Sequence, residues 1–215
     1  MWSHRDLKLV VPILHGRDQR GVFGADVEKI AKLMVEWTLE EIFGFQLLQS
    51  DPNFANYRFD KENSRLVLLD FGATVQIPNA MVSIYRNLLE ALLKNDQQGF
   101  LAYLNAYHLL PKNVPKHLQQ LINDILSVAF KEFHVSEKFS FAESQIFDFV
   151  TPGNMQELGK LTPTHLISTE LLLMQRKLIG MVFLLRRLRI ALPLKRMIEQ
   201  KINSPVKNPY RKHLV

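Results

Sequence analysis

Several chemistries are excluded by what this sequence lacks. Cysteine is absent from its 215 residues, which rules out disulfides, thiolate metal sites and a cysteine nucleophile. The seven histidines show no His-x-x-x-His or similar spacing for zinc, and no Gly-x-Ser-x-Gly elbow offers an acyl-transfer nucleophile. Gly16 and Gly21 have the spacing of a phosphate-binding loop, but Val22 and Phe23 replace the Lys-Ser/Thr pair that such a loop requires.

Long apolar runs are also lacking. The best candidate, Leu178–Leu185, has eight residues and is closed by Arg186 and Arg187, whereas a helix needs about 20 apolar residues to cross a bilayer. The N-terminus shows no apolar core of a signal peptide. We therefore expect a protein without a transmembrane helix, whose contact with any membrane is peripheral.

Acidic residues are scarce at the C-terminal end. From Arg176 onward the chain has eleven Lys or Arg residues and one acid, Glu199, while the rest of the chain is slightly acidic. One interpretation is an anionic membrane surface as partner along Arg176–Lys201. The other is a solvated helix face whose apolar side packs in the core. Nucleic acid is not expected as a partner, because no binding motif accompanies the charge.

The membrane interpretation names two groups of residues on the same predicted helix. Its apolar area would come from Leu178, Met181, Val182, Leu185, Leu188 and Ile190, and its positive charge from Arg176, Lys177, Arg186, Arg187 and Arg189.

Hydrophobic periodicity and turn residues predict a mainly α protein with a small β-hairpin region. The first helix should start after Asp26, a good N-cap, and stop at Gly44. Short strands are predicted at Leu7–Leu14, Phe45–Leu48, Asn56–Phe59 and Arg65–Leu69. Everything after Pro78 is predicted to be helical, with helices at Ala80–Lys94, Gln97–Leu109, Pro115–Phe133, Glu143–Phe149 and from Thr164 to a break at Pro193.

Two motifs carry residues suited to chemistry. In the first, Asp51 precedes Asn56 by five residues, and in the second, Asp70-Phe71-Gly72 directly follows the apolar strand Leu66–Leu69. Nineteen residues separate Asp51 from Asp70, and a hairpin of that length can bring the two loops side by side. Either motif alone is ordinary turn chemistry or a chance tripeptide. Their order and spacing together favour a functional site.

The residue types suit phosphoryl transfer, which depends on positioning and charge neutralisation. Mg²⁺ prefers oxygen ligands and is usually held by one or two carboxylates together with phosphate oxygens. Asp70 is the predicted main metal ligand, and Asn56 offers a neutral carbonyl oxygen as a second ligand. Asp51 is the predicted catalytic residue, which would orient the attacking hydroxyl or water or accept its proton.

These motifs resemble the AarF/UbiB family of atypical kinases, most closely the branch linked to coenzyme Q (ubiquinone) biosynthesis. The resemblance is carried by Gln49–Asn56 and Leu66–Thr74, with weaker support from Leu39–Phe45 and Glu170–Lys177. It covers most of the chain, although only the two site motifs are specific. The resemblance therefore supports the phosphoryl-transfer chemistry that the residue types suggest by themselves.

The resemblance implies the C-terminal lobe of a protein-kinase-like fold that uses ATP and Mg²⁺ as cofactors. Asp51 matches the catalytic-loop aspartate, and Asn56 and Asp70 match the residues that bind the metal of the nucleotide. The resemblance also implies association with a membrane and with quinone-precursor lipids. The expected location is accordingly mitochondrial or the cytoplasmic face of the bacterial inner membrane.

An N-terminal kinase lobe is not visible in the sequence. About 48 residues precede the catalytic loop, and they contain neither the phosphate-covering loop and lysine of a kinase nor the Lys-x-Gly-Gln motif of the family. We expect a segment 1–24 that leads into a kinase-like lobe 25–215. Within the lobe, catalytic and metal loops 49–74 are followed by a helical bundle 79–203 and a basic tail 204–215.

Two hypotheses about function remain open at this stage. In the first, the chain is a catalytic lobe that acts with an N-lobe, in the same or another polypeptide, as a kinase or ATPase. In the second, it is a catalytically incomplete pseudokinase fragment that serves as a membrane- or protein-binding scaffold. About six residues separate Gly72 from the expected helix start near Asn79, too few for the activation segment of a protein kinase. A small-molecule substrate or ATP hydrolysis is therefore expected.

Overall fold

The computed structural model describes residues 7–9, 24–51, 53, 56–60, 62–63, 65–111, 113–161 and 168–204. Its α-helices are α1 (Gly24–Glu40), α2 (Asn79–Leu93), α3 (Gln97–Ala106), α4 (Lys116–Val135), α5 (Pro152–Gly159), α6 (Thr169–Leu188) and α7 (Leu194–Ile202). Its strands are β1 (Leu7–Leu9), β2 (Leu47–Gln49), β3 (Tyr57–Asp60), β4 (Arg65–Leu68), β5 (Thr74–Gln76), β6 (Phe139–Ser140) and β7 (Ala191–Leu192). The prediction of a mainly α protein with a small β region is confirmed.

The first helix continues past its α-helical part into a π-helical turn. Helix α1 begins at Gly24, two residues before the predicted cap, and is followed by the π turn Glu41–Phe45. Gln46 then takes a left-handed conformation, with φ of 58°, and reverses the chain into β2. The strand predicted at Phe45–Leu48 therefore starts two residues later than expected, because the turn ends the helix at Phe45.

The predicted hairpin is confirmed. Strands β3 and β4 pair antiparallel, with Tyr57 opposite Leu68 and Asp60 opposite Arg65, and β1 pairs with the other edge of β3. Of the strand predicted at Leu7–Leu14, residues 10–14 lie outside the described part. A second antiparallel pair, β2 with β5, was only half predicted, because a three-residue strand such as β5 is too short for an alternating pattern.

The helices after Pro78 lie close to their predicted positions, but two predictions in this part need correction. Strands β6 and β7 pair with one another, so the expectation that everything after Pro78 is helical is wrong at these residues. The segment predicted as a helix at Glu143–Phe149 is a 3₁₀ turn, Gln145–Phe149. Helix α5 was not predicted, and the first residues of the last predicted helix, 164–167, lie outside the described part.

Helix α6 lies at the centre of the core. Its residues Met181 and Leu185 pack with Met34 of α1 and Tyr57 of β3, whereas Met174 packs with a second group of buried residues from the π turn, β2, α2 and α7. Helix α6 is thereby placed beneath the strands that lead into the two motif loops. Within the described part of the chain, none of the helices has both the length and the apolar content to cross a bilayer.

Candidate active site

The loop between β2 and β3 brings two of the predicted site residues together. The amide nitrogen Nδ2 of Asn56 donates a hydrogen bond of 3.0 Å to Oδ2 of Asp51. Oδ1 of the same carboxylate accepts the backbone N–H of Asn53 at 3.3 Å, an arrangement that Asp adopts readily in turns. The loop closes with a backbone bond of 3.0 Å from Asn56 to Asn53, so the five-residue spacing seen in the sequence becomes a direct contact.

The third predicted residue lies in a tight turn after β4. Oδ1 of Asp70 accepts the backbone N–H of Gly72 at 2.7 Å, and Thr74 N donates to the Phe71 carbonyl at 3.1 Å. A Cβ on Gly72 would lie 3.1 Å from the Asp70 carboxylate, closer than most Cβ contacts allow. Glycine therefore lets the chain turn directly behind this carboxylate, which is exposed to solvent.

Hydrogen bonds on both sides join the two loops. At one end, the backbone N–H and the hydroxyl of Ser50 both donate to the Ala73 carbonyl, at 3.0 and 2.8 Å. At the other end, Leu69 N donates to the Asn56 carbonyl at 2.9 Å. The loops that carry Asp51 and Asn56 on one side and Asp70 on the other therefore lie side by side.

The oxygen atoms of this arrangement fit a magnesium ion that is bound through a nucleotide. Since Nδ2 of Asn56 is bonded to Asp51, Oδ1 of Asn56 would be the atom available to a metal ion, and Asp70 would supply a carboxylate. Within the described residues, no group of three or more His, Cys, Asp or Glu side chains could hold a metal ion by itself. Two protein oxygens completed by phosphate and water are typical of Mg²⁺ in phosphoryl-transfer sites.

Two residues next to this site, Arg176 and Lys177, do not have the environment that the sequence predicts for them. Arg176 of α6 lies 3.7 Å from Oδ1 of Asp51, so it faces the catalytic loop. Lys177 is only 1% exposed and cannot contribute charge to a membrane surface, which corrects that part of the prediction. The predicted apolar membrane face is also largely internal, because Met181 and Leu185 are buried in the core.

Lys177 belongs to a buried polar group directly beneath the catalytic loop. Its Nζ donates hydrogen bonds to the Gln49 carbonyl at 2.9 Å and to the Tyr57 hydroxyl at 2.6 Å, and lies 3.5 Å from Oε2 of Glu41. Burial raises the pKa of the Glu41 carboxyl and lowers the pKa of the Lys177 ammonium, while each charge favours the ionised form of the other. Burial also raises the pKa of Tyr57, which therefore stays a neutral hydroxyl.

Few features of the sequence indicate this buried group. Lys177 stands beside Arg176 in a basic stretch, and only the helical phase shared with Met174, Met181 and Leu185 indicates an inward position. Glu41 follows Glu40 in the mixed segment Leu39–Phe45, and nothing in that segment marks it as the buried one of the two acids.

The mainly helical architecture, the Asp51–Asn56 loop and the adjacent Asp-Phe-Gly turn fit a kinase-like fold. Residues 18–104 match the family described as the ABC1 atypical kinase-like domain. The resemblance to the AarF/UbiB family of atypical kinases described above is confirmed over these residues, which make up less than half of the chain. The matched residues include both motif loops.

Individual relatives support the same family. The chain is 28% identical over 137 residues to "Atypical kinase COQ8B, mitochondrial" of Danio rerio, and 36% identical over 78 residues to "Atypical kinase coq-8, mitochondrial" of Caenorhabditis elegans. It is 28% identical over 144 residues to "Probable serine/threonine-protein kinase abkA" of Dictyostelium discoideum. These alignments cover 62%, 34% and 64% of this chain, respectively.

The relatives are much longer than the part that aligns. The alignments cover 20%, 10% and 24% of the lengths of the zebrafish, nematode and Dictyostelium proteins. The chain thus spans about a quarter or less of the curated relatives it matches. The similarity supports an AarF/UbiB-type kinase-like fold for the aligned region.

Proposed function

We propose that this chain is the C-terminal catalytic lobe of an atypical kinase or ATPase of the UbiB type that depends on Mg-ATP. The observation that carries the proposal is the 3.0 Å bond between Asn56 and Asp51, in a loop that is joined at both ends to the Asp70 loop. Adjacent loops thereby hold the three groups that the reaction needs. These are a carboxylate that accepts the proton (Asp51), and an amide and a second carboxylate that bind the metal (Asn56 and Asp70).

Each residue has a distinct part in this proposal. Asn56 and Asp70 hold the Mg²⁺ of Mg-ATP, and the ion supplies positive charge that neutralises the phosphates. Asp51 orients the acceptor hydroxyl or a water molecule and takes up its proton. Arg176, 3.7 Å from Asp51, keeps positive charge beside that carboxylate.

The acceptor is a small molecule or water in this proposal. Between Gly72 and the start of α2 at Asn79 the chain forms only the short strand β5 and a brief connection, which leaves little surface for docking a peptide. The Dictyostelium relative is named a probable serine/threonine-protein kinase, so protein acceptors belong among the substrates to be tested.

We further propose that the activity supports ubiquinone biosynthesis at a membrane, with a quinone-precursor lipid as candidate partner. The resemblance is closest to the branch linked to coenzyme Q, and two of the relatives above carry COQ8-type names and the word mitochondrial. A mitochondrial location is therefore proposed for this chain, with the cytoplasmic face of a bacterial inner membrane as the second possibility.

The first test is the binding of Mg-ADP and Mg-ATP, measured as the shift of the thermal unfolding midpoint during titration. A ligand at 100 times its Kd stabilises the native state by about 2.7 kcal/mol, which gives a readily measured shift. We expect the wild type to shift, Asp70→Asn to lose the shift because it loses the metal carboxylate, and Asp51→Asn to keep it while losing turnover of ATP.

The matched control is Asp148→Asn, which removes an exposed carboxylate on the 3₁₀ turn and should shift like the wild type. Absence of a shift in the wild type, or an equal shift in Asp70→Asn, contradicts the proposed metal site. That outcome would favour the second hypothesis, a pseudokinase scaffold. Formation of ADP and release of inorganic phosphate are measured together, with and without a quinone-like phenol or a protein. Equal amounts indicate ATP hydrolysis, and ADP in excess of phosphate indicates transfer to the acceptor.

A further inference from the structure

One ammonium group contacts both ends of the catalytic loop. Lys177 lies on α6, 128 residues from Gln49, and is 1% exposed. Its Nζ donates to the backbone carbonyl of Gln49 at 2.9 Å, to the side-chain oxygen of Gln49 at 3.3 Å and to the Tyr57 hydroxyl at 2.6 Å. Three of the oxygen atoms around this ammonium group therefore belong to the two residues that flank the loop.

Glu41 completes this arrangement from the π turn. Oε1 of Glu41 accepts the backbone N–H of Gln49 at 3.2 Å, and Oε2 lies 3.5 Å from Nζ of Lys177. The N–H and the C=O of Gln49 are consequently both bonded to the same buried ion pair. These contacts fix the last residue of β2 from two directions.

The contacts lie at the two ends of the loop that holds Asp51 and Asn56. Gln49 precedes Asp51 by two residues, and Tyr57 directly follows Asn56. The intervening loop, residues 50–56, holds both proposed catalytic-loop side chains. Displacement of such groups by about 1 Å can reduce a reaction rate about a hundredfold, so a rigid attachment of both ends matters for the site between them.

Stability alone is a weak explanation for this ion pair. Removing two charges from water costs free energy that their attraction often fails to recover, and well-packed apolar residues in their place are frequently neutral or stabilising. The pair also lies in a region rich in apolar neighbours, with Met174 and Leu48 fully buried close by in sequence. Its bonds are directed to the ends of one loop, which indicates a role in placing that loop.

We propose that Lys177, held by Glu41, is a positioning residue that sets the geometry of loop 50–56 and thereby the affinity of the site for a metal–nucleotide complex. This inference rests on the proposed function. The competing explanation is that the pair only balances buried charge. The two explanations differ in what happens when both charges are removed together.

The test compares Lys177→Met with the double variant Glu41→Gln/Lys177→Met in the full chain. The affinity for Mn-ADP is measured by electron paramagnetic resonance of free Mn²⁺, and stability by the thermal midpoint. Lys177→Met leaves an unpaired buried carboxylate and should lose both stability and affinity. We expect the double variant to regain most of the lost stability but to bind Mn-ADP at least about tenfold more weakly than the wild type, because the loop ends remain untethered.

Recovery of both stability and affinity in the double variant would overturn the inference and leave only a charge-balancing role. The matched control is Glu40→Gln/Lys201→Met, which removes a partly buried ion pair between α1 and α7 that does not touch the loop. This control should change stability without changing the affinity for Mn-ADP. An equal loss of affinity in the control would also contradict a specific role for Lys177.

A separate measurement tests the positioning role if the wild type fails to bind Mn-ADP, a result that would contradict the proposed function itself. Hydrogen exchange reports the bonds that join the loops, through the amides of Ser50, Asn56 and Leu69. The double variant should exchange these amides at least about tenfold faster than the wild type, while amides of α2 stay unchanged. Unchanged exchange at the three amides rejects the positioning role.

Discussion

Asp60 closes the turn between β3 and β4, and its carboxylate is stabilised in the charged form. Oδ2 accepts the side-chain amide of Asn63 at 2.8 Å, and Oδ1 accepts the backbone N–H of Asn63 at 3.1 Å. These hydrogen bonds, first the side-chain bond and then the backbone bond, lower the pKa of Asp60. The hairpin that returns the chain from Asn56 to Asp70 is therefore sensitive to acid.

The sign of this dependence follows from linkage. Because the folded state holds the Asp60 pKa below the value of about 3.9 for an ordinary aspartate, the carboxylate contributes stability above that pH and loses it as the pH falls through the folded-state pKa. We predict that Asp60→Asn is less stable than the wild type at pH 6 and that the difference shrinks below pH of about 4. Denaturant unfolding at several pH values measures this difference, and a difference that stays constant across these pH values would contradict the prediction.

Neighbouring residues on one helix can have opposite environments. Arg176 is exposed and lies beside Asp51, whereas Lys177, one position further along, is buried beneath the same loop. Since adjacent residues on a helix point about 100° apart, one basic stretch can supply a charge above a loop and a charge below it. The amino-acid composition does not distinguish the two residues. Only the direction of each side chain on the helix decides which of them is exposed.

At the scale of secondary-structure elements, the stability of α6 depends on the residues that cap its two ends. Ser168 is the N-cap, and its hydroxyl accepts the backbone N–H of Leu171 at 3.2 Å, which satisfies one of the free donors at the start of the helix. We predict that Ser168→Ala lowers the free energy of unfolding by about 0.5–2 kcal/mol. Chemical denaturation measures the change.

Ser83→Ala is the matched control for this cap. The Ser83 hydroxyl donates to the Asn79 carbonyl inside α2, an interaction that contributes little to a helix, and alanine has the higher helix propensity. This variant should be neutral or slightly stabilised. Equal destabilisation of the two variants would contradict a capping role for Ser168.

The other end of α6 is capped by a residue in an unfavourable conformation. Arg189 has φ of 52° and ψ of 42°, and its N–H donates to the Arg186 carbonyl at 3.2 Å. Left-handed conformations are disfavoured for residues with a Cβ, and glycine is the usual residue at this position. We predict that Arg189→Gly raises the free energy of unfolding by about 0.5–1 kcal/mol.

The same substitution at Arg196 should have the opposite sign. Arg196 is exposed and lies within α7, where glycine costs about 0.5–1 kcal/mol relative to good helix formers. Thermal or denaturant unfolding of both variants under one set of conditions makes the comparison. A loss of stability in Arg189→Gly equal to that in Arg196→Gly would show that the left-handed conformation carries no strain.

At the scale of the whole molecule, positive charge concentrates near the end of α6. Arg186, Arg187 and Arg189 are all exposed, and Arg186 lies over the Phe147 ring at 4.2 Å. The exposed large apolar residues of the same helix are Leu172, Ile179 and Phe183, whereas the six residues that the sequence indicated are buried or half-buried. A membrane contact of this helix would therefore combine the charge of the arginines with apolar area from these three residues.

We predict that reversal of all three arginines to glutamate weakens binding to vesicles with anionic lipids by more than about tenfold, since each basic residue near such a surface contributes about 1 kcal/mol. The binding should also weaken as salt concentration increases. Cosedimentation measures both effects. The matched control reverses Lys29, Lys32 and Lys94, which are exposed on other helices and change the net charge equally. Equal losses in the two triple variants would point to net charge rather than to this surface.

Much of the architecture was predictable because it depends on neighbours in sequence. Three local patterns were predicted: the apolar spacing of α1 and α2, the turn between β3 and β4, and the end of a helix before Pro193. Each appears within a few residues of its predicted place. The short strands β5, β6 and β7 were missed because pairing partners far along the chain define them. Two or three residues carry too little pattern to be recognised alone.

By itself, the sequence determined the motif residues, their spacing and the family they resemble. A loop such as Asp51–Asn56 also builds its own hydrogen bonds over a few residues. Tertiary structure alone decided what lies around that loop. The contacts of Lys177 and Arg176 join residues more than 100 positions apart, and they exist only once α6 packs beneath β2 and β3. The burial of a side chain and the direction in which it points depend on the packing of the whole chain. Two adjacent basic residues therefore differ: Arg176 is exposed beside Asp51, and Lys177 is buried and bonded to the ends of the loop.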